Sequence, residues 1–199
     1  MKNQKIKRMS LLAMLLAIEL VLLMTPLGYL RIGPLSLTMM HIPVIIAGIV
    51  LGKEAGLILG FVFGLSSMLN ATFMPNLTSF VFSPFIQVGG IHGNYASLLI
   101  AFLPRMLMGW VAGYAYEHLK INNLKSRALV VGIMATSVNT ILVLLGIYFF
   151  FAADYASTLN IALNSLHLVL LSVIFSNGLI EMVMAGLISS CLVGVLQVL

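Results

Sequence analysis

Apolar positions along the chain fall in long blocks, each near the 20 residues that cross a hydrocarbon core, and no polar stripe at helical spacing divides them as it would in a soluble amphipathic helix. The first block predicts a helix over residues 9–27, stopped by Pro26 and Gly28, with Ala13 and Ala17 four positions apart on one face. Arg31, Gly33 and Pro34 then turn the chain sharply back. The second helix, residues 38–51, is only about 21 Å long at 1.5 Å per residue, short of a typical core of about 30 Å. It is either a short span or half of a re-entrant hairpin. After a turn at Gly52-Lys53-Glu54, the third helix carries Gly52, Gly56, Gly60 and Gly64 at strict four-residue spacing. Glycine lowers helix propensity, so the compensation expected is close backbone packing against a neighbour.

Three further blocks complete the pattern. The fourth helix is expected over 98–118, with Pro104 and Arg105 in its first half and Gly109 and Gly113 below; the fifth over 128–151, with an unusually polar turn from Thr136 to Thr140; the sixth from Leu166 to the C-terminus, with Asn177 and Glu181 one turn apart. Between the third and fourth lies a long polar but uncharged connection, residues 70–97, which holds Asn76, Gln87, His92 and Asn94 but no charged residue. A connection of this length is usually functional or disordered, and here it reads as a lid or binding loop over a mouth framed by the helices.

Composition agrees with the pattern. The 199 residues are 61% hydrophobic and 8% charged, against about 25% charged in a soluble domain, so the chain reads as a single-domain, all-α integral membrane protein with six transmembrane helices. The net charge of +5 does not point to nucleic acid, because the basic residues cluster at membrane edges. Eight of the ten Lys and Arg, at the N-terminus, at Lys53 and in the loop holding Lys120, Lys125 and Arg127, fall on one side of a six-helix topology. By the positive-inside rule both termini are cytoplasmic and the 70–97 loop is extracellular. The basic N-terminus resembles a signal-peptide n-region, but residues 24–29 lack a small-residue cleavage site, so the first helix is read as retained. The single cysteine, Cys191, allows no internal disulfide and no cysteine metal cluster.

Several chemistries find no motif. Gly52-Lys53 has Ala47 where a phosphate-binding loop needs its first glycine and is followed by Glu54, so no ATPase site is present. His41, His92, His118 and His167 have no metal-ligand spacing. No nucleophile elbow or paired-carboxylate spacing appears, and no enzymatic activity is expected.

Candidate chemistry therefore rests on polar groups at membrane depth, where a charge costs about 2.5–3.5 kcal/mol on insertion scales. Glu19, Arg105, Glu181 and, near an edge, Glu117 qualify. Arg105 either forms a structural ion pair with Glu19 or Glu181, or receives a substrate anion. Asn70, Asn139 and Asn177, on three helices, offer donors and acceptors to one ligand or to one another. Phe80, Phe82 and Phe85 either wall a ligand or anchor the interface.

In their order along the chain, these features resemble the substrate-binding S components of energy-coupling factor (ECF) vitamin transporters. The resemblance rests on Ala13-x-x-x-Ala17, His41-Ile-Pro, the Thr-Ser-Phe-Val-Phe-Ser-Pro run from Thr78 to Pro84, Leu103-Pro104-Arg105 leading to Gly109, Asn139-Thr140, and Asn177 with Glu181. It implies a high-affinity subunit in the bacterial plasma membrane that binds a water-soluble vitamin from outside. It implies docking on a shared module of a transmembrane coupling subunit and two ATPases, with Ala13 and Ala17 as the docking face, and transport by toppling of the subunit in the bilayer. Arg105, Asn139, Asn177, Asn70, Phe82, Ser83 and His41 become the substrate-binding candidates, with no cofactor, metal or nucleic acid. One cation among several amides suits a monoanionic, hydroxylated molecule better than folate or thiamine, and the pattern is most similar to the pantothenate-type branch, with riboflavin, folate and other small molecules as alternatives. A membrane interaction subunit without transport is the competing class; it treats Arg105 and the glycine stripes as structural.

Overall fold

Helix formation in the computed structural model, which describes residues 2–31 and 36–196, follows the apolar blocks closely. Helix α1 (Lys2–Met24) begins seven residues before the apolar block because the Lys, Gln and Arg that precede Met9 are good helix formers, and it ends two residues before Pro26. The first loop is a hairpin, β1 (Tyr29–Arg31) against β2 (Ser36–Thr38), with Tyr29 opposite Thr38. Gly33 and Pro34, expected to make its turn, lie outside the described residues.

Helix α2 (His41–Leu51) is shorter than expected, about 16 Å at the α-helical rise, and all but Val50 of its 11 residues are buried. An apolar helix hydrophobic all round belongs inside protein, and α2 is wrapped by α1, α3, α4 and α8. Gly52, with φ +96°, joins it to α3 (Lys53–Phe73), a backbone conformation that a side chain would strain. Helix α4 (Tyr95–His118) packs along α3 through the glycine stripe. A methyl group on Gly56 would overlap the Gly109 carbonyl, one on Gly109 the Gly56 carbonyl, and one on Gly60 the Arg105 carbonyl. The close approach inferred from four-residue spacing is therefore present.

The connection between α3 and α4 is shorter and far more ordered than residues 70–97 suggested. Asn70 still belongs to α3, and α4 begins at Tyr95. Between them a 3-10 turn (Ser79–Val81) is buried whole, followed by a hairpin of β3 (Gln87–Val88) and β4 (Ile91–His92). Gly89 and Gly90, with φ +59° and +86°, make its two-residue turn, which requires positive φ at both positions. Asn76 organises the 3-10 turn. Its Oδ1 accepts from the Thr78 N–H at 3.0 Å and the Ser79 hydroxyl at 2.9 Å, while its own N–H donates to Ser79 Oγ at 2.8 Å. A capping box at Asn94 and Ser97 starts α4, and the Ser97 hydroxyl ties the helix to the Phe80 carbonyl at 2.7 Å.

Helix α5 (Leu124–Phe150) is followed by the short α6 (Ala152–Thr158). The last block is not one uniform helix. A π turn (Ile174–Gly178) separates α7 (Leu166–Val173) from α8 (Leu179–Leu196). Among the described residues, four segments reach membrane-spanning size by length and apolarity: Lys53–Phe73, Tyr95–His118, Leu124–Phe150 and Leu163–Val195.

Two apolar clusters hold these elements. One is centred on α2, with Leu59, Phe63, Met108 and Ala112 around it. The other joins Phe80 and Val81 of the long connection to Ile100, Ile147, Phe151 and Tyr155, with the Phe80 and Phe151 rings edge-on at 5.7 Å.

Candidate functional site

The site begins with a dipeptide. Pro104 has no backbone N–H, so inside α4 it leaves the carbonyl four residues earlier, that of Ile100, without its helical donor. Arg105 Nη1 donates to that carbonyl. The same guanidinium lies 3.5 Å from Ser67 Oγ through Nη2 and stacks near Phe63 and Phe82, at 5.5 and 5.0 Å from the ring centroids. Arg105 is 5% exposed and its Nε has no hydrogen-bond partner among the described residues.

The ion pair weighed for Arg105 is not formed with either candidate among the described residues. Glu19 is buried with both oxygens lacking a hydrogen-bond partner among the described residues, and Glu181 Oε1 accepts instead from the Thr38 backbone N–H at 2.6 Å. Glu181 is nevertheless near enough to Arg105 for their charges to interact. The cation is held by dipoles and aromatic faces, with a carboxylate nearby.

Arg105, Phe82 and Thr38 line two small cavities at once. The first, about 50 Å³, lies among Tyr29, Ser67, Asn70, Asn76 and Ser79. Tyr29 exchanges a hydrogen bond with Ser66 at 3.2 Å, and burial pushes its phenol up to about 12, which keeps it a neutral hydroxyl. The second, about 60 Å³, lies among Asn139, Thr140, Val143, Asn177 and Glu181. Phe82 is common to both. Each cavity has room for only a few water molecules, so a vitamin-sized ligand needs the space of both and a shift of their shared wall.

Of the residues singled out from the sequence, Arg105, Asn70, Phe82, Asn139 and Asn177 are brought together around these cavities. Asn70 falls in the first, and Asn139 and Asn177 in the second. Ser83 and His41 are not among the lining residues. Ser83 is buried and exchanges a hydrogen bond with Thr72 at 2.7 Å, fixing the connection to the end of α3. His41 is buried at the start of α2 beside Thr38 and Glu181, with Nε2 unpartnered among the described residues. Phe80 is core and Phe85 is 72% exposed, so only Phe82 of the three aromatics faces the cavities.

Tyr29, Thr38, Ser67 and Ser79 join the lining without having been selected. Ser and Thr are common in membrane helices and turns, and nothing local marks the few that face a cavity. Asn76 had a signal, since Asn-x-x-Ser is the spacing of the side-chain turn it forms. Ala13 and Ala17 lie on the exposed side of α1, opposite buried Leu15 and Glu19. Among the described residues no three His, Cys, Asp or Glu side chains gather as a metal-ligand set.

A helical bundle with membrane-length segments, enclosing a buried cation among amides and hydroxyls, has the form of a membrane subunit that captures a small polar solute. Residues 7–193 match the family described as ECF transporter, substrate-specific component, and the chain belongs to that family. It is a multi-pass cell membrane protein of a class that works with a vitamin substrate and an energy-coupling module. Over 196 residues it is 36% identical to the Pantothenic acid transporter PanT of Lactococcus lactis subsp. cremoris (strain MG1363), an alignment that covers 97% of this chain and 95% of that relative. The relatives are transporter components and not enzymes.

Proposed function

We propose that this protein is the high-affinity pantothenate-binding subunit of an ECF importer. The observation that carries the reading is Arg105, a buried guanidinium without an ion-pair partner among the described residues, at the junction of two cavities lined by amides and hydroxyls. Pantothenate is a monoanion with one carboxylate, one amide and two hydroxyls, and this lining suits each of those groups. The likeness to a pantothenic acid transporter along nearly the whole chain supports the same substrate.

In this reading the bundle crosses the membrane six times, α1 and the wrapped α2 included, with both termini cytoplasmic. Arg8, at the basic end of α1, donates to the Leu51 carbonyl at 2.6 Å, which brings the N-terminus and the Lys53 turn to one side and agrees with the positive-inside count. The connection holding Phe82 then faces outside and closes over the ligand. Energy comes from a docked transmembrane coupling subunit and two ATPases, with Ala13 and Ala17 as the contact on α1.

The guanidinium makes two parallel hydrogen bonds to the substrate carboxylate that an ammonium cannot reproduce. Titration of purified protein with pantothenate tests this. Arg105→Lys weakens binding, and Arg105→Ala weakens it further, by about 2–5 kcal/mol for a desolvated charge pair. Wild-type affinity in a stably folded Arg105→Ala variant rules the role out.

A further inference from the structure

The second cavity has a chemical polarity that the role of Arg105 leaves unused. Arg105 lies on its α4 wall, while α5 and α8 bring oxygen atoms: Asn139 Oδ1 and Thr140 Oγ1, both buried without a hydrogen-bond partner among the described residues, and the carboxylate of Glu181, itself 8% exposed. One Glu181 oxygen is committed to the Thr38 N–H. The other is left for whatever occupies the cavity. An ionised carboxylate and an amide oxygen accept hydrogen bonds and cannot donate them, and buried acceptors without donors are costly. This end of the cavity therefore calls for a ligand carrying hydrogen-bond donors.

We infer that Glu181 is a specificity-determining residue, accepting a hydrogen bond from a ligand hydroxyl while Asn139 and Thr140 take a second. The ligand then lies with its hydroxylated end between α5 and α8 and its carboxylate at Arg105. The inference rests on the pantothenate reading above and adds the direction in which the molecule binds. The sign of the charges sets that direction. The reverse orientation would hold the ligand carboxylate against Glu181 and leave the guanidinium facing neutral hydroxyls, and like charges in a low-dielectric site repel strongly. The same carboxylate disfavours ligands with a second acid group and leaves Glu181 unmatched by a ligand lacking hydroxyls. Selection of a hydroxylated monoacid thus comes from an acceptor that a wrong ligand cannot satisfy, the kind of discrimination that polar pockets achieve and apolar ones do not.

Glu181→Gln is the discriminating variant, because its amide oxygen still accepts from the Thr38 N–H while the second oxygen becomes a donor-only NH2. Dissociation constants are measured for wild type and variant with pantothenate and with two analogues in which one or the other hydroxyl is replaced by hydrogen. Wild type is expected to bind at least one deoxy analogue about ten- to a hundredfold more weakly than pantothenate, the range for a hydrogen bond to a charged group. Glu181→Gln is expected to lose the same factor for pantothenate and to bind that analogue as wild type does. Thermal unfolding without ligand should be unchanged. Equal losses for pantothenate and both analogues, or none, overturn the inference. So does wild-type protein that binds all three alike, a result that needs no variant to fold. If wild type binds no pantothenate, the substrate reading itself fails, whereas binding without hydroxyl discrimination removes only the role of Glu181.

Discussion

Gly60→Ala tests whether the glycine stripe does more than let two helices touch. A Cβ at this position overlaps the Arg105 carbonyl oxygen and lies 2.8 Å from both the Arg105 carbonyl carbon and the Met106 Cα. Ordinary contact begins at 3.4 Å, so α3 and α4 must separate by about 0.6 Å or more, and because the obstacle is backbone no side-chain rotation relieves it. Alanine gains about 0.8–1 kcal/mol of helix propensity. Overpacking costs about 1–3 kcal/mol, with backbone clashes toward the upper end. The net expectation is a loss of about 1–2 kcal/mol, or a few degrees in the unfolding midpoint for a chain of this size. The displacement falls on the residue that carries the guanidinium, so pantothenate affinity should fall as well. Gly194→Ala is the control, since its Cβ would meet only the flexible end of Lys125 at 3.2 Å and should cost nothing. The assay is thermal unfolding of purified protein in detergent, with pantothenate titration of each variant below its midpoint. A Gly60→Ala protein with wild-type midpoint and wild-type affinity would refute the argument from packing.

Two further outcomes are expected. Replacing both Ala13 and Ala17 by Trp on the exposed side of α1 should abolish uptake by cells while purified protein still binds pantothenate, because bulk there blocks a partner helix without entering the fold; an equal loss of binding would put the motif inside the fold. Amide hydrogen exchange across residues 74–94 should slow when pantothenate is added, since Phe82 in that segment lines both cavities; unchanged exchange at saturation would remove its gating role.

Much of the architecture is a consequence of local pattern. Apolar blocks in a chain only 8% charged dictate helices in lipid, and four-residue glycine spacing dictates a close crossing. Each is readable within a few residues because it depends on backbone geometry and solvent alone. The site required more. Thr38 and Glu181, 143 positions apart, are joined by one hydrogen bond, and no spacing rule connects them. Whether Arg105 paired with Glu19, with Glu181 or with neither depended on where α1 and α8 packed around α4, a matter of three-dimensional distance. The π turn before α8 interrupts the α-helical hydrogen-bond ladder between α7 and α8, so the faces presented by Asn177 and Glu181 are not those of a uniform helical wheel. The connection read as a lid or binding loop carries a buried turn and a hairpin because Asn76, Ser79 and Phe80 found partners there, and an uncharged stretch does not announce whether its polar groups will be satisfied by protein or by water. Local periodicity determined which segments are helices; the convergence of a guanidinium, four amides and a carboxylate on two small cavities was decided by tertiary packing, because burial and hydrogen-bond pairing are properties of neighbours far apart in the chain.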